Sequence, residues 1–214
     1  MRTVLLALML FVSLSAGTPK LIFTRSFPGS TPAYFFIRVD RTGALQYKES
    51  PTDDRPLTAQ LQEADTAALF AMAEKLNYFK APLESGLKVA NTGKKSFRYE
   101  NENGSATETS FNYSIDETAR QLLERFEQIG ATERAYLDLD SAVRYDRLGV
   151  NQALAEIESL WLRKQLAAPL QFIPLFNRIT THESYMHLAR ERAARLRDAF
   201  QTPPPSPSNE QTTK

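Results

Sequence analysis

The strongest constraint on this fold is a change of hydrophobic period along the chain. In "AYFFIRVDRTGALQYKE", Phe35, Ile37 and Val39 alternate with Tyr34, Phe36 and Arg38 before a glycine turn. Leu45 and Tyr47 alternate with Ala44, Gln46 and Lys48 after it. Successive side chains of a strand point to opposite faces, so period two around "RTG" predicts a hairpin with one buried face. "KLIFTRSF" (20–27) reads as a short strand ended by "PGSTP", and "LTAQL" (57–61) as another after the loop "PTDDRP". "KKSFRYEN" and "ATETSFNYS" form a second hairpin around "ENGS", with Phe97 and Tyr99 expected to match Phe111 and Tyr113.

Between the hairpins the period becomes helical. In "QEADTAALFAMAEKLNYF", Leu69, Met72, Ala73 and Leu76 recur at helical spacing. "KAPLESGLKVANTG" (80–93) reads as a loop. Ser114 and Glu117 match a capping box, followed by the apolar stripe Ile115, Ala119, Leu122, Phe126 and Ile129, with Gly130 as a natural stop. Hairpins with one polar face bury the other under helices. The expectation for 18–130 is an α+β domain: an antiparallel sheet of about four to five strands covered by two helices.

After residue 131 the strand signals vanish. "TERAYLDLDSAVRYDRLG" reads as helical up to Gly149. Asn151 is placed to cap a second helix carrying Leu154, Ile157 and Trp161 on one face. Pro169 suits the first position of a third, which Pro174 should kink or delay. The last helix is expected from about Thr181 to Phe200. Region 131–200 thus predicts a C-terminal bundle of about three to four helices joined by short connections.

The two ends carry different instructions. In "MRTVLLALMLFVSLSAGTPK", Arg2 precedes the apolar run Val4 to Leu14 and the small residues Ser15, Ala16 and Gly17. That order is the pattern of a signal peptide spanning 1–17, and the run is shorter than the roughly 20 residues that cross a bilayer. Export is therefore expected, to the periplasm or the cell exterior. With no cysteine in the chain, stability must come from the core rather than from disulfides, and thiolate metal sites are excluded. The tail 201–214, "QTPPPSPSNEQTTK", has no large apolar residue and is expected to be disordered. The 26 basic residues nearly balance the 25 acidic ones, which gives no basic excess for nucleic acid.

Both histidines fall in "THESYMH" (181–187), one residue longer than the zinc-protease motif H-E-x-x-H. Five residues of helix turn the second imidazole about 140° from the first. His182 then falls on the stripe of Tyr185, Ala189, Ala193, Leu196 and Phe200, and His187 lines up with Arg190, Ala194 and Arg197. Two guanidinium groups beside a dication repel it, and no third ligand is near. Glu183 instead completes a capping box with Thr180. No metal or cofactor is expected. No nucleophile elbow, phosphate loop or dinucleotide fingerprint occurs. Asp138 and Asp140, with Asp53 and Asp54, are carboxylates for a hard metal, but no loop offers the six or more oxygens that calcium takes. Their plain reading is a solvated acidic patch. Aromatic and basic residues mix in "YFFIRV" and "SFRYE", where period two assigns the aromatics to the core. Asn103 and Asn112 both stand in glycosylation sequons.

The series "AYFFIRVDRTGALQYKE … LQEADTAALFAMAEKLNYF … KKSFRYEN … TSFNYSIDETARQLLERFEQI" resembles small exported bacterial domains of unknown function built as hairpin, helix, hairpin, helix. The resemblance covers about residues 30–130. It implies a bacterial envelope location and an α+β fold, and it carries no active site.

The functional expectation is a non-catalytic exported binding or structural module of the bacterial envelope, its partner another envelope or secreted protein or an envelope component. Its contact surfaces would be the open sheet face and the side of the last helix bearing Arg190, Arg197 and His187. The rival readings are a secreted hydrolase whose carboxylates or serine assemble only in the fold, and an inhibitor or accessory protein of a neighbouring enzyme. A cleft with converging Asp, Glu or His would favour the hydrolase.

Overall fold

The computed structural model describes residues 17–202; the expected signal peptide 1–17, apart from Gly17, and the expected disordered tail 201–214, apart from Gln201 and Thr202, lie outside them, and Gln201 is the last residue of a helix. The protein is α+β. Six strands form one antiparallel sheet: β1 (Lys20–Ser26), β2 (Tyr34–Asp40), β3 (Ala44–Lys48), β4 (Leu57–Gln60), β5 (Lys94–Glu100) and β6 (Ala106–Phe111). Their order is β4-β3-β2-β1-β5-β6, one strand more than the four to five expected. β1 is the reason the two hairpins share a sheet, because Phe23 stands opposite both Ile37 and Phe97.

Period two decides the buried face. Leu21, Phe23, Ile37, Val39 and Phe97 are fully buried, whereas Ile22, Thr24, Phe36, Arg38 and Arg98 on the other face stay partly exposed. The second hairpin corrects the expected pairing. Phe97 faces Thr109 and Phe111 faces Lys95, while Tyr113 lies beyond the strand. The inward rings still meet across strands. Phe23 stacks on Phe126 at 5.0 Å and touches Phe35 and Phe97, and Phe97 in turn packs on Phe79 and Phe111.

Two helices cover this face, α1 (Glu63–Lys75) and α2 (Glu117–Tyr145). Beyond α1, Asn77, Tyr78 and Phe79 all take positive φ, a conformation that costs L-residues about 1–3 kcal/mol each. The turn reverses the chain sharply enough to bury Phe79 against Phe97 and to set Tyr78 on Tyr99 at 4.5 Å.

α2 departs from the expectation twice. Its cap is Asp116, which accepts from the Ala119 amide at 2.9 Å, so Ser114 and Glu117 form no capping box. Ile115 accordingly falls before the helix, 66% exposed, while Ala119, Leu122, Phe126 and Ile129 are buried as the stripe required. Gly130 does not stop the helix, which runs on for 29 residues in all. A Cβ at Gly130 would stand 2.9 Å from Phe35 Cε2; the glycine marks close approach of helix to ring rather than a C-cap.

The continuous helix carries the chain from one core into another. The first core joins the sheet, α1 and the start of α2. The second gathers Leu139 and Val143 of α2 with α3 (Val150–Leu162), the 3-10 turn Pro169–Phe172, α4 (Ile173–Thr181) and α5 (His187–Gln201). Asn151 is not the cap of α3, whose N-cap position is Gly149. The expected last helix is two. α4 ends at Thr181 and α5 begins at His187, so Thr180 and Glu183 form no capping box. The intervening turn buries Tyr185, whose hydroxyl donates to the Val143 carbonyl at 3.1 Å. Pro174 sits in the first turn of α4, where its missing amide costs nothing.

Candidate functional site: the cleft between sheet and bundle

Where the ends of β1, β2 and β3 approach the middle of α2 and the side of α3, the surface opens into a cleft of about 420 Å³. Gly130 and Ala131 form part of its floor, and the absence of bulk at these two positions leaves the space open. Arg25, Glu127, Arg134, Asp138 and Glu156 bring charge to its walls.

Each charged group is positioned by the periodicity of its element. Arg25 continues the inward series Leu21 and Phe23 to the sheet end, where its guanidinium lies 5.6 Å from the Phe35 ring centre and donates to Glu127 Oε2 at 2.7 Å. Arg134, on the cleft side of α2, donates to Glu49 at 2.7 Å and to Asp138 at 3.1 Å. Glu49 also accepts from the buried Tyr47 hydroxyl at 2.8 Å. Burial first, and then the Glu49 carboxylate, hold the Tyr47 phenol far above its ordinary value. Tyr47 is thus a fixed donor here. Glu156 lies farther from a cation, with Arg163 at 3.9 Å.

A further carboxyl lies outside the cleft lining. Glu133 of α2 is fully buried and continues the stripe of Leu122, Phe126 and Ile129 by one further turn. Its Oε1 accepts from Gln171 at 3.0 Å, and its Oε2 has no partner among the described residues. Burial disfavours the charged form, which pushes the carboxyl up to about 7 despite the Gln171 hydrogen bond.

The residues singled out from the sequence do not converge. His182 caps the end of α4 and is exposed, its Nδ1 2.9 Å from the Arg178 carbonyl; it lies off the apolar stripe and on a different helix from His187. His187 opens α5 and pairs with Glu191 at 3.2 Å. Arg197 pairs with its neighbour Asp198 at 3.0 Å, and the buried Nε of Arg190 has no partner among the described residues. Arg192 turns inward to Glu158 and Asn151 and holds α5 on α3. Asp138 and Asp140 each pair with an arginine four residues along α2, and Asp53 and Asp54 border a loop. Among the described residues no cluster of three or more His, Asp or Glu is arranged to hold a metal, and no helix is long and apolar enough to cross a membrane.

The cleft and the buried carboxyl were not singled out from the sequence, although each left one signal there. Arg25 is a charge in an inward register, and Glu133 is a charge in an apolar stripe. No protein-family model matches this chain, and no curated protein shows significant similarity to it.

Proposed function

We propose that the chain is an exported, non-catalytic binding module of the bacterial envelope that holds its partner, another envelope or secreted protein, in the cleft between sheet and bundle. The observation that carries this reading is the engagement of two cleft carboxylates, Glu127 and Asp138, by arginines that line the same cleft. With the lining Arg134 held as well by Glu49 from outside it, the arrangement presents fixed charges of both signs to a ligand. A hydrolase working through two carboxyls needs one that keeps its proton. Glu133, a carboxyl that burial raises toward neutrality, is fully buried and outside the cleft lining.

The convergence of Glu127, Asp138 and Glu156 on one cleft favours the hydrolase as second reading, so the test must separate the two. Ala131 is exposed on the cleft floor, and Ala131→Trp should fill the cleft without disturbing a core. The mature protein, cross-linked in an envelope extract, is expected to capture a reproducible partner that Ala131→Trp fails to capture. Equal capture by both proteins would overturn the cleft as the binding site. Turnover of peptide, ester or glycoside substrates by the wild type, lost in Glu127→Gln, would replace binding with catalysis. Export is tested by fusing residues 1–20 to a reporter that is active only outside the cytoplasm.

A further inference from the structure

The segment from Arg163 to Phe172 is a strap that leaves α3, crosses α2 at the seam between the two cores and enters α4. It belongs to both cores, since Ala168 is buried with the sheet residues and Phe172 with the bundle. Its backbone is bent tightly, with Lys164 at φ 56° and Ala168 at φ 45°. Two side chains of α2 fasten it. Thr132 Oγ1, itself bonded to the Gln128 carbonyl, accepts from the Ala167 amide at 2.9 Å. Glu133 Oε1 accepts from the Gln171 side chain. Beside the strap lies a small cavity of about 60 Å³ lined by apolar residues, Leu69, Ile129 and Ala167 among them, and by the charged Asp65, Arg125 and Lys164.

We propose that Glu133 is a proton-operated latch for this strap: protonated, it lies neutral in the seam and keeps the strap closed, and ionised, it drives the strap off α2. The geometry sets the direction. With Oε2 unpartnered in a fully buried site, a negative charge there has, among the described residues, one neutral amide to stabilise it and no cation. The groups that face it are Tyr47 from β3, Tyr136 from its own helix and Gln171 from the strap. The guanidinium of the neighbouring Arg134 is turned to Glu49 and Asp138. β3 and α2 are fixed in the two cores, whereas the strap holds two residues in a conformation that L side chains resist. The strap is therefore the element that yields, and its release hydrates the carboxylate and uncovers the apolar contact between α1 and α2. Mild acidity closes the latch and mild alkalinity opens it.

The test is amide hydrogen exchange of the full chain from pH 5 to pH 8, with each rate corrected for its intrinsic pH dependence. A carboxyl that titrates near 7 when closed and near the ordinary carboxylate value when open should raise the opening of the hydrogen-bonded strap amides of Ala167 and Gln171 on the order of 50-fold over this range. Amides of β1 and β5 should keep their protection, and Glu133→Gln should abolish the pH dependence. A strap whose protection is flat with pH, or one that loses protection in step with β1 and β5, overturns the proposal. Should Glu133→Gln fail to fold, carbon-detected titration of the Glu133 carboxyl in the wild type decides. An ordinary carboxylate midpoint there also overturns it.

Discussion

Replacing Gly130 by alanine sets two effects of opposite sign against each other. A glycine inside a helix costs about 1 kcal/mol relative to alanine, so propensity alone would stabilise the variant. The new Cβ, however, would lie 2.9 Å from Phe35 Cε2, 3.3 Å from Cζ and 3.4 Å from Cδ2. Carbon atoms attract best at about 3.5–4.0 Å. The ring cannot swing aside, because it stands edge-on to Phe23 at 5.5 Å and against Tyr47 at 6.2 Å. Overpacking of this kind costs about 1–3 kcal/mol. The clash wins, and urea unfolding should show a net loss of about 1 kcal/mol. The assay follows far-UV circular dichroism together with the fluorescence of Trp161, the sole tryptophan, which packs on Phe200 in the bundle. Both signals should shift together, because α2 is continuous through both cores. In a Phe35→Leu background the ring is gone, and Gly130→Ala should then stabilise by up to about 1 kcal/mol. Higher stability of Gly130→Ala with Phe35 present would refute the reasoning.

Further outcomes are open to the same unfolding assay. Asp116→Ala should cost about 1 kcal/mol by removing the α2 cap, and a smaller loss than for Ser114→Ala would restore the capping box read from the sequence. Lys164 occupies the left-handed position of a Schellman ending, with Lys164 N–H on the Trp161 carbonyl and Gln165 N–H on that of Leu160. Lys164→Gly should therefore stabilise by about 0.5–1 kcal/mol, and any destabilisation argues against that conformation. Lys95 is 5% exposed, and its ammonium donates to the carbonyls of Thr92, Gly93 and Asn112. Lys95→Met should cost about 3 kcal/mol by leaving those acceptors unpaired, and a neutral result would mean that water replaces the ammonium.

The pH dependence of stability follows from Glu133. Its folded value of about 7 lies above the ordinary 4.5, so between these values the native state binds more protons than the unfolded chain. Stability is then full below about pH 4.5 and falls as pH rises through 7, by at most about 3 kcal/mol. Glu133→Gln should remove that fall and be the more stable protein at pH 8. A variant that still loses stability over this range would place the titration elsewhere.

Strand positions and their inward residues were legible in the sequence because side-chain alternation is a local consequence of backbone geometry. Phe35, Ile37, Val39, Leu45 and Tyr47 are buried as period two required, and the stripe from Ala119 to Ile129 faces the sheet. Helix ends were less legible, because several residues within one turn can serve the same free amides. Asp116 caps α2 although Ser114 looked equally fit, and Gly130 resembles a stop while serving a close contact. The split between α4 and α5 was missed for a related reason: Thr180 and Glu183 fit a cap, but burying Tyr185 against Val143 required a turn there.

What the sequence by itself determined is the set of apolar faces: which residues must leave water, and at what period. What only the tertiary structure decided is which charges meet. Arg25 and Glu127 stand 102 positions apart and Arg134 and Glu49 stand 85 apart, and pairing at that separation depends on how the covered sheet face seats α2. The burial of Glu133 against Gln171 of a distant segment is decided in the same way. An apolar side chain is sorted by its contact with water, a property it carries alone, whereas an ion pair exists only once two distant elements have docked.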